Sequence, residues 1–89
     1  MRIDGLQWDD EKIEHIIKHG ISIPEVEDIC FGPHLVYQAK YGRYILYGQT
    51  GHGRYTMVVL KRLYGNHFEP RTSREMTERE KKNYKKKIK

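Results

Sequence analysis

The chain has 89 residues, of which 37% are hydrophobic, and a net charge of +5 at pH 7. At this length folding buries only about 60 to 65% of the surface of the extended chain, which argues against a second domain or a deep cofactor pocket. The single cysteine, Cys30, excludes an intrachain disulfide and a multi-cysteine metal site. We therefore expect one domain over residues 1–89 that works with no metal ion and no cofactor.

Two features of the sequence bear on its location. No apolar run approaches the roughly 20 residues that a membrane-spanning helix requires. The first ten residues, MRIDGLQWDD, lack the apolar region of a signal peptide. We expect a cytoplasmic protein without a membrane partner.

The positive charge is concentrated in the last twenty residues. Residues 70–89 contain nine Lys and Arg against three Glu, a net charge of +6, whereas residues 1–69 contain eight basic and nine acidic residues. Such a block is typical of a surface that binds nucleic acid or an acidic protein. A solvated helix face is the alternative interpretation.

The first predicted element is a helix over residues 10–19. Asp9 is a favourable N-cap, and Ile13, Ile16 and Ile17 form an apolar stripe at helical spacing. Gly20 stands where a helix commonly ends in a left-handed residue.

A second helix is predicted over residues 23–31. Ser22 and Glu25 have the spacing of a capping box, and Gly32 with Pro33 provides a stop signal. The two helices are joined by a short corner, so we expect their apolar faces to cover one surface of a sheet.

The pattern then changes to segments rich in Val, Ile and Tyr that are separated by turn residues. These segments predict a meander of antiparallel hairpins. The predicted strands cover residues 34–39, 43–49, 54–63 and 67–73. Residues 3–7 are a candidate for a further short strand.

A basic helix is predicted at the C-terminus, in residues 77–89. Thr77 and Glu80 form another capping box, and Tyr84 with Ile88 supplies a narrow apolar stripe. The predicted fold class is thus α+β, with two N-terminal helices, a four-stranded antiparallel sheet and a C-terminal basic helix.

Lys18 and His19, at the end of the first helix, are candidates for chemistry because they fall outside its apolar stripe. Cations in the last helical turn are also explained by the free carbonyls and the negative end of the helix dipole. His15 and His19 have the i, i+4 spacing of a metal-ligand pair, but the sequence offers no obvious third ligand.

Several short motifs along the chain share the order and spacing of one protein family. They are Trp8-Asp9, KHGIS at 18–22, Arg43, Gly48, Gly53-Arg54, Met57-Val58-Val59, and the ending Arg74, Thr77, Glu80 and Tyr84. Through these residues the chain resembles, over nearly its whole length, the BrnT family of bacterial toxins, small ribonucleases with a RelE-like fold. Two departures are Gly32, where the family usually has Asp, and Thr72-Ser73, where it usually has Ser-Ala.

The resemblance implies a type II toxin, a metal-independent endoribonuclease that cleaves RNA and inhibits translation and growth. It also implies a cognate BrnA-type antitoxin with a ribbon-helix-helix fold, through which the toxin would reach operator DNA. We predict catalytic roles for Lys18, His19, Arg74 and Tyr84, and RNA contacts from Arg54, Arg71, Lys81 and Lys85.

The residue types suit such a reaction, although each has a structural alternative. Attack of a ribose 2′-hydroxyl on phosphorus needs a base, an acid and cations for the phosphorane charge, tasks suited to His and Arg. Arg74 is equally explained by a surface pair with Glu75 or Glu78, and Tyr84 by docking of the last helix. The alternative function is a non-catalytic module that binds nucleic acid or the antitoxin and has a degenerate site.

Overall fold

A computed structural model describes residues 1–88, and its elements follow the predicted order, with the candidate strand of residues 3–7 present as a two-residue strand, Gly5–Leu6. No helix in this range is long and apolar enough to cross a membrane. The predicted C-terminal helix ends at Lys87, and the last position of the predicted range, residue 89, lies outside the described residues. The elements are β1 (Gly5–Leu6), α1 (Asp10–Lys18), α2 (Ile23–Phe31), β2 (His34–Gln38), β3 (Arg43–Gln49), β4 (Tyr55–Tyr64), β5 (His67–Glu75) and α3 (Glu78–Lys87).

The α+β class is confirmed, but the sheet is mixed and has five strands in the order β1-β5-β4-β3-β2. The prediction of four antiparallel strands is incomplete because β1 pairs in parallel with the outer edge of β5. The amide of Asp4 donates to the carbonyl of Asn66, and that of Gln7 to Phe68, both at 2.8 Å. A two-residue strand has too few residues to show an alternating pattern, so its pairing is decided by the partner edge.

β5 is also longer than predicted, and Pro70 does not end it. Val59 pairs with Thr72 and Leu60 with Pro70, so Arg71 is the extra residue of a β-bulge. A bulge accommodates a proline within a ladder and changes the direction of nearby side chains.

The predicted helix caps are confirmed. The carboxylate of Asp9 accepts from the amides of Glu11 and Lys12, at 2.8 and 3.4 Å. Capping boxes are formed by Ser22 with Glu25 and by Thr77 with Glu80. His19 is the C-cap of α1, and Gly20 follows it with a φ of 80°. These local bonds set the ends of all three helices.

The core lies between α1, α2 and one face of the sheet. Its fully buried residues come from both helices and from β3, β4 and β5. On β3, Gly48 allows α2 to approach closely, because a Cβ there would lie 3.0 Å from Cδ1 of Ile29. The central members are Ile16, Val26, Ile29, Leu46, Val58, Leu60 and Phe68.

The opposite face of the sheet is only partly covered by α3. Tyr84 is 5% exposed and packs edge-to-face on Tyr55, with ring centres 6.0 Å apart, which docks the helix near the start of β4. Ile45, Val59 and Thr72 are cross-strand neighbours that remain half-buried. We call the surface formed by these three residues the open sheet face.

Candidate functional site

A cleft of about 520 Å³ lies where α1 meets the β5 side of the open sheet face. We call it the histidine cleft. α1 packs along β5, and burial of Ile16 fixes the rotation of the helix. In this orientation Lys12 and His15 reach the β5 side of the cleft. The residues lining the cleft are Glu11, Lys12, His15, Arg43, Val59, Arg71 and Thr72.

Two imidazoles lie together at this cleft. Nε2 of His15 is 3.1 Å from the hydroxyl oxygen of Thr72. The ring of His19, one turn further along α1, meets the His15 ring edge-to-face with centres 4.7 Å apart. Both histidines are exposed to solvent. The pair is therefore open to a ligand and is held at one side by a hydroxyl group from β5.

Three cations line the same cleft as His15, and they come from three different elements. Lys12 belongs to α1, Arg43 begins β3, and Arg71 is the bulge residue of β5. Arg71 donates to a carboxylate oxygen of Glu69 at 3.0 Å. Glu11 is the one acidic side chain lining the cleft, so the surrounding charge is positive and favours an anion.

The sequence-predicted Lys18 is not among the residues lining the cleft. Its ammonium is 3.6 Å from a carboxylate oxygen of Glu14, and both side chains are exposed. An exposed i, i+4 pair of this kind contributes about 0.3 to 0.5 kcal/mol to the helix. His19 is therefore near the site, whereas Lys18 is on the solvent side of the same helix end.

Arg54 links the corner after α1 to the end of β5. Its guanidinium donates to the carboxylates of Glu25 and Glu75, at 2.9 and 3.0 Å, and to the carbonyl of Gly20, at 2.9 Å. The hydrogen bond to Glu75 is the main reason that the pKa of Arg54 is raised. Although burial opposes ionisation of Glu25, bonds from Ser22 and Arg54 lower its pKa. Arg54 thus positions the residues that follow His19.

Arg74 makes a bidentate ion pair with Glu80, at 2.8 and 3.0 Å. The Tyr47 hydroxyl donates to the same carboxylate at 3.1 Å. The hydrogen bonds from Arg74 lower the pKa of Glu80 to about 2, against burial, which raises it. The alternative interpretation of Arg74, a surface ion pair, is therefore present in the structure, with Glu80 as the partner instead of Glu75 or Glu78.

Tyr84, the fourth predicted catalytic residue, is buried beneath the basic surface of α3. The ammonium groups of Lys81 and Lys85 lie 5.2 and 5.1 Å from the centre of the Tyr55 ring, against which Tyr84 packs. Burial raises the pKa of Tyr84, which keeps its hydroxyl protonated. The structure therefore separates the predicted residues into a group at α1 and a group at α3.

The predicted site lacked four of the residues that line the cleft, namely Lys12, His15, Arg43 and Thr72. The i, i+4 spacing of His15 and His19 was the available signal, and it points equally to a metal pair. Within residues 1–88, no group of three His, Cys, Asp or Glu side chains is placed to hold a metal ion. The contact with Thr72 joins residues 57 positions apart and has no signal in the sequence.

Three helices around a five-stranded mixed sheet define a BrnT-like α+β fold, the class that the sequence motifs predicted. One solved structure that shares this fold is the crystal structure of the Brucella abortus ribonuclease toxin BrnT. The likeness has a TM-score of 0.68 at 19% sequence identity and covers 83% of this chain and 97% of that chain. No family profile matches the sequence, and no curated protein matches it. The resemblance is thus confirmed at the level of the fold.

Proposed function

We propose that this protein is a toxin that cleaves RNA without a metal ion, and that the histidine cleft is its active site. The observation that carries the proposal is the His15–His19 pair, with ring centres 4.7 Å apart, beside a cleft lined by three cations. The fold shared with a ribonuclease toxin supports it.

In the proposed reaction, the ribose 2′-hydroxyl attacks the adjacent phosphorus, and the bond from phosphorus to the 5′ oxygen breaks. One imidazole accepts the proton from the 2′-hydroxyl, and the other, in its protonated form, donates a proton to the departing 5′ oxygen. Lys12, Arg43 and Arg71 offset the charge of the crowded phosphorane. The products are a 2′,3′-cyclic phosphate and a free 5′-hydroxyl.

The other predicted residues have supporting roles in this proposal. Arg54 positions the end of α1 through its bond to the Gly20 carbonyl. Lys81 and Lys85 extend the basic surface along which the RNA backbone lies. Arg74 reaches a phosphate by exchanging its partner Glu80, and Tyr84 holds α3 in place.

The partners follow from the same proposal. RNA cleavage inhibits translation and growth in the cytoplasm, and a cognate ribbon-helix-helix antitoxin of the BrnA type neutralises the toxin by covering its basic surface. Operator DNA is reached only through that antitoxin. Residues 1–89 act as one unit, in which residues 77–89 contain seven Lys and Arg against two Glu, a net charge of +5.

The proposal is tested by incubating the purified protein with a mixed-sequence single-stranded RNA in the presence of EDTA. We expect fragments that carry a cyclic phosphate at the 3′ end and a hydroxyl at the 5′ end, with the same yield when Mg²⁺ replaces EDTA. A folded protein that leaves the RNA intact under both conditions would refute the proposal.

The second candidate function is a non-catalytic binding module. The ion pairs of Arg54 and Arg74 favour it, because these arginines act on the fold in the structure. RNA binding that weakens steeply with salt but yields no fragments would support this function instead.

A further inference from the structure

A second cavity of about 520 Å³ opens on the other side of the open sheet face, between α3 and the strands β2 and β3. Leu35 and Ile45 form part of its apolar lining, Tyr37 and Tyr47 contribute aromatic rings, and α3 adds Asn83. We call this cavity the tyrosine groove. Its volume is in the range of small-ligand pockets, and its lining is mainly apolar.

The two tyrosine rings are arranged to hold a flat group. They meet edge-to-face with centres 5.8 Å apart. The Tyr47 hydroxyl is tied to Glu80, so this ring is fixed, whereas Tyr37 is 38% exposed at the mouth of the groove. An exposed ring beside a fixed one provides a surface on which a planar heterocycle can stack.

Polar and charged groups at the rim come from α3. The ammonium of Lys87 lies 5.9 Å from the centre of the Tyr37 ring, and the Asn83 amide donates to the Tyr37 hydroxyl at the long distance of 3.4 Å. Such a bond is weak, which leaves the amide able to pair with the edge of a base. A cation beside an aromatic slot matches a nucleotide, whose base is apolar on its faces and whose phosphate is negative.

The tyrosine groove and the histidine cleft are neighbours on the same face. Ile45 lines the groove, Val59 lines the cleft, and the two residues are directly paired across β3 and β4. Adjacent strands are about 4.8 Å apart, so an extended RNA strand spans both sites within a few nucleotides.

We infer that the tyrosine groove binds one unpaired base of single-stranded RNA next to the phosphate held in the histidine cleft, and that Tyr37 stacks on it. The inference rests on the proposed function, since it places the groove beside the cut phosphate. Asn83 contacts the edge of the base and makes the groove a determinant of sequence preference. Lys87 moves from the Tyr37 ring to the neighbouring phosphate.

The test measures binding of fluorescein-labelled 12-mers with 2′-O-methyl riboses, which cannot attack phosphorus. Oligomers of A, C and U are compared with an abasic 12-mer of the same charge. We expect Tyr37→Ala to weaken binding of the best oligomer about fivefold or more, the loss of one base stack. Tyr37→Phe retains the ring and remains within about twofold of the wild type. Asn83→Ala changes the ratio of affinities among the three bases.

Tyr41→Ala is the matched control, because Tyr41 is 83% exposed in the turn before β3 and does not line the groove. Its affinity should equal that of the wild type, and the melting temperatures of all variants establish that they are folded. Equal affinity of the wild type for abasic and base-bearing oligomers would overturn the inference. A Tyr37→Ala variant that binds RNA with wild-type affinity would also overturn the inference. The same holds if this variant has lost only its affinity for an antitoxin.

The proposed function and this inference fail in different ways. If the protein leaves RNA intact but the groove variants alter base-dependent affinity, the cleavage proposal fails and the base site stands. If RNA is cleaved while Tyr37→Ala retains the wild-type KM and cut-site pattern, the base site alone is refuted.

Discussion

The α3 side and the α1 side of the open sheet face both carry arginines, but the guanidinium groups have different neighbours. At α3, Arg74 makes a bidentate pair with Glu80, which also accepts from Tyr47. At α1, Arg43 makes no ion pair with the described residues, and Arg71 pairs with Glu69, two positions away. An arginine paired with the carboxylate of a helix-capping residue stabilises the fold, whereas an arginine that faces a cleft remains available to an anion.

Substitution of the histidine pair, on the α1 side, should have the largest effect on RNA cleavage. We expect His15→Ala and His19→Ala each to reduce RNA cleavage about 100-fold or more, because each removes a proton-transfer group. Cleavage rates of end-labelled RNA measure this effect. His52→Ala, which alters an exposed turn histidine outside the cleft, should retain full activity. Unchanged rates in both cleft variants would remove the pair from the mechanism.

Arg54→Ala should have the largest effect on stability. It leaves the Glu25 carboxylate, whose side chain is 14% exposed, without its cation, and we expect a loss of about 2 to 3 kcal/mol in the free energy of unfolding. Urea unfolding measures the loss. The free energy of unfolding of Arg54→Lys should lie between those of the wild type and Arg54→Ala, because an ammonium cannot reach both carboxylates and the Gly20 carbonyl together. A loss below about 0.5 kcal/mol would mean that this network is not structural.

Arg43→Ala should act in the opposite way. We expect unfolding to change by less than about 0.5 kcal/mol. Affinity for a non-cleavable RNA should fall about tenfold, the effect of one charge-assisted hydrogen bond. The plot of log K against log salt should become less steep by about 0.7, because one phosphate contact is lost. Arg2→Ala, at an exposed pair with Asp4, is the control and should alter neither quantity. Strong destabilisation by Arg43→Ala would contradict the contrast with Arg54.

Glu80→Gln should have a smaller effect on stability than Arg54→Ala, and that effect should depend on pH. The pKa of Glu80 is lowered from 4.5 to about 2, so its ionic contribution is complete above about pH 4.5 and disappears as pH falls toward 2. Because the Arg74 side chain is 40% exposed, solvent screening limits the difference between variant and wild type to about 1 to 2 kcal/mol at pH 7.

Urea unfolding of both proteins at pH 7 and pH 3 measures this difference, which should be smaller at the lower pH. A difference that grows as the pH falls would show that Glu80 is not held ionised by Arg74. Glu78→Gln is the control, because its exposed carboxylate has only a 3.6 Å contact with Lys81.

Much of the fold could be predicted because it depends on short-range patterns. Asp9, Ser22 and Thr77 cap helices through bonds to amides two or three positions away, and these bonds have the same form in any chain. The four long strands also followed from residue type and turn signals. β1 lies within the candidate strand of residues 3–7, but its parallel pairing was not predictable, since two residues carry no alternation and their pairing depends on the free edge of β5.

The candidate site was only partly predictable, because its contacts join residues that are far apart in the sequence. His19 was predicted from its place in a motif, whereas the contact of its neighbour His15 with Thr72 depends on the packing of α1 along β5. Arg71 was predicted to contact RNA, whereas its position in the histidine cleft comes from a bulge. Tyr84 and Arg74 match the same family pattern as His19, yet Tyr84 docks α3 and Arg74 pairs with its N-terminal turn.

The order of residue types along the chain was sufficient to determine the helices, their caps, the long strands, the basic C-terminus and the resemblance to BrnT. These depend on neighbours within a few positions or on composition. Tertiary packing decided which cations are paired and which face a cavity, because an ion pair depends on a few ångströms of distance between groups far apart in sequence. For that reason two arginines that match the same family pattern have different surroundings. Arg54 is held in ion pairs that stabilise the fold, whereas Arg43 lines the histidine cleft.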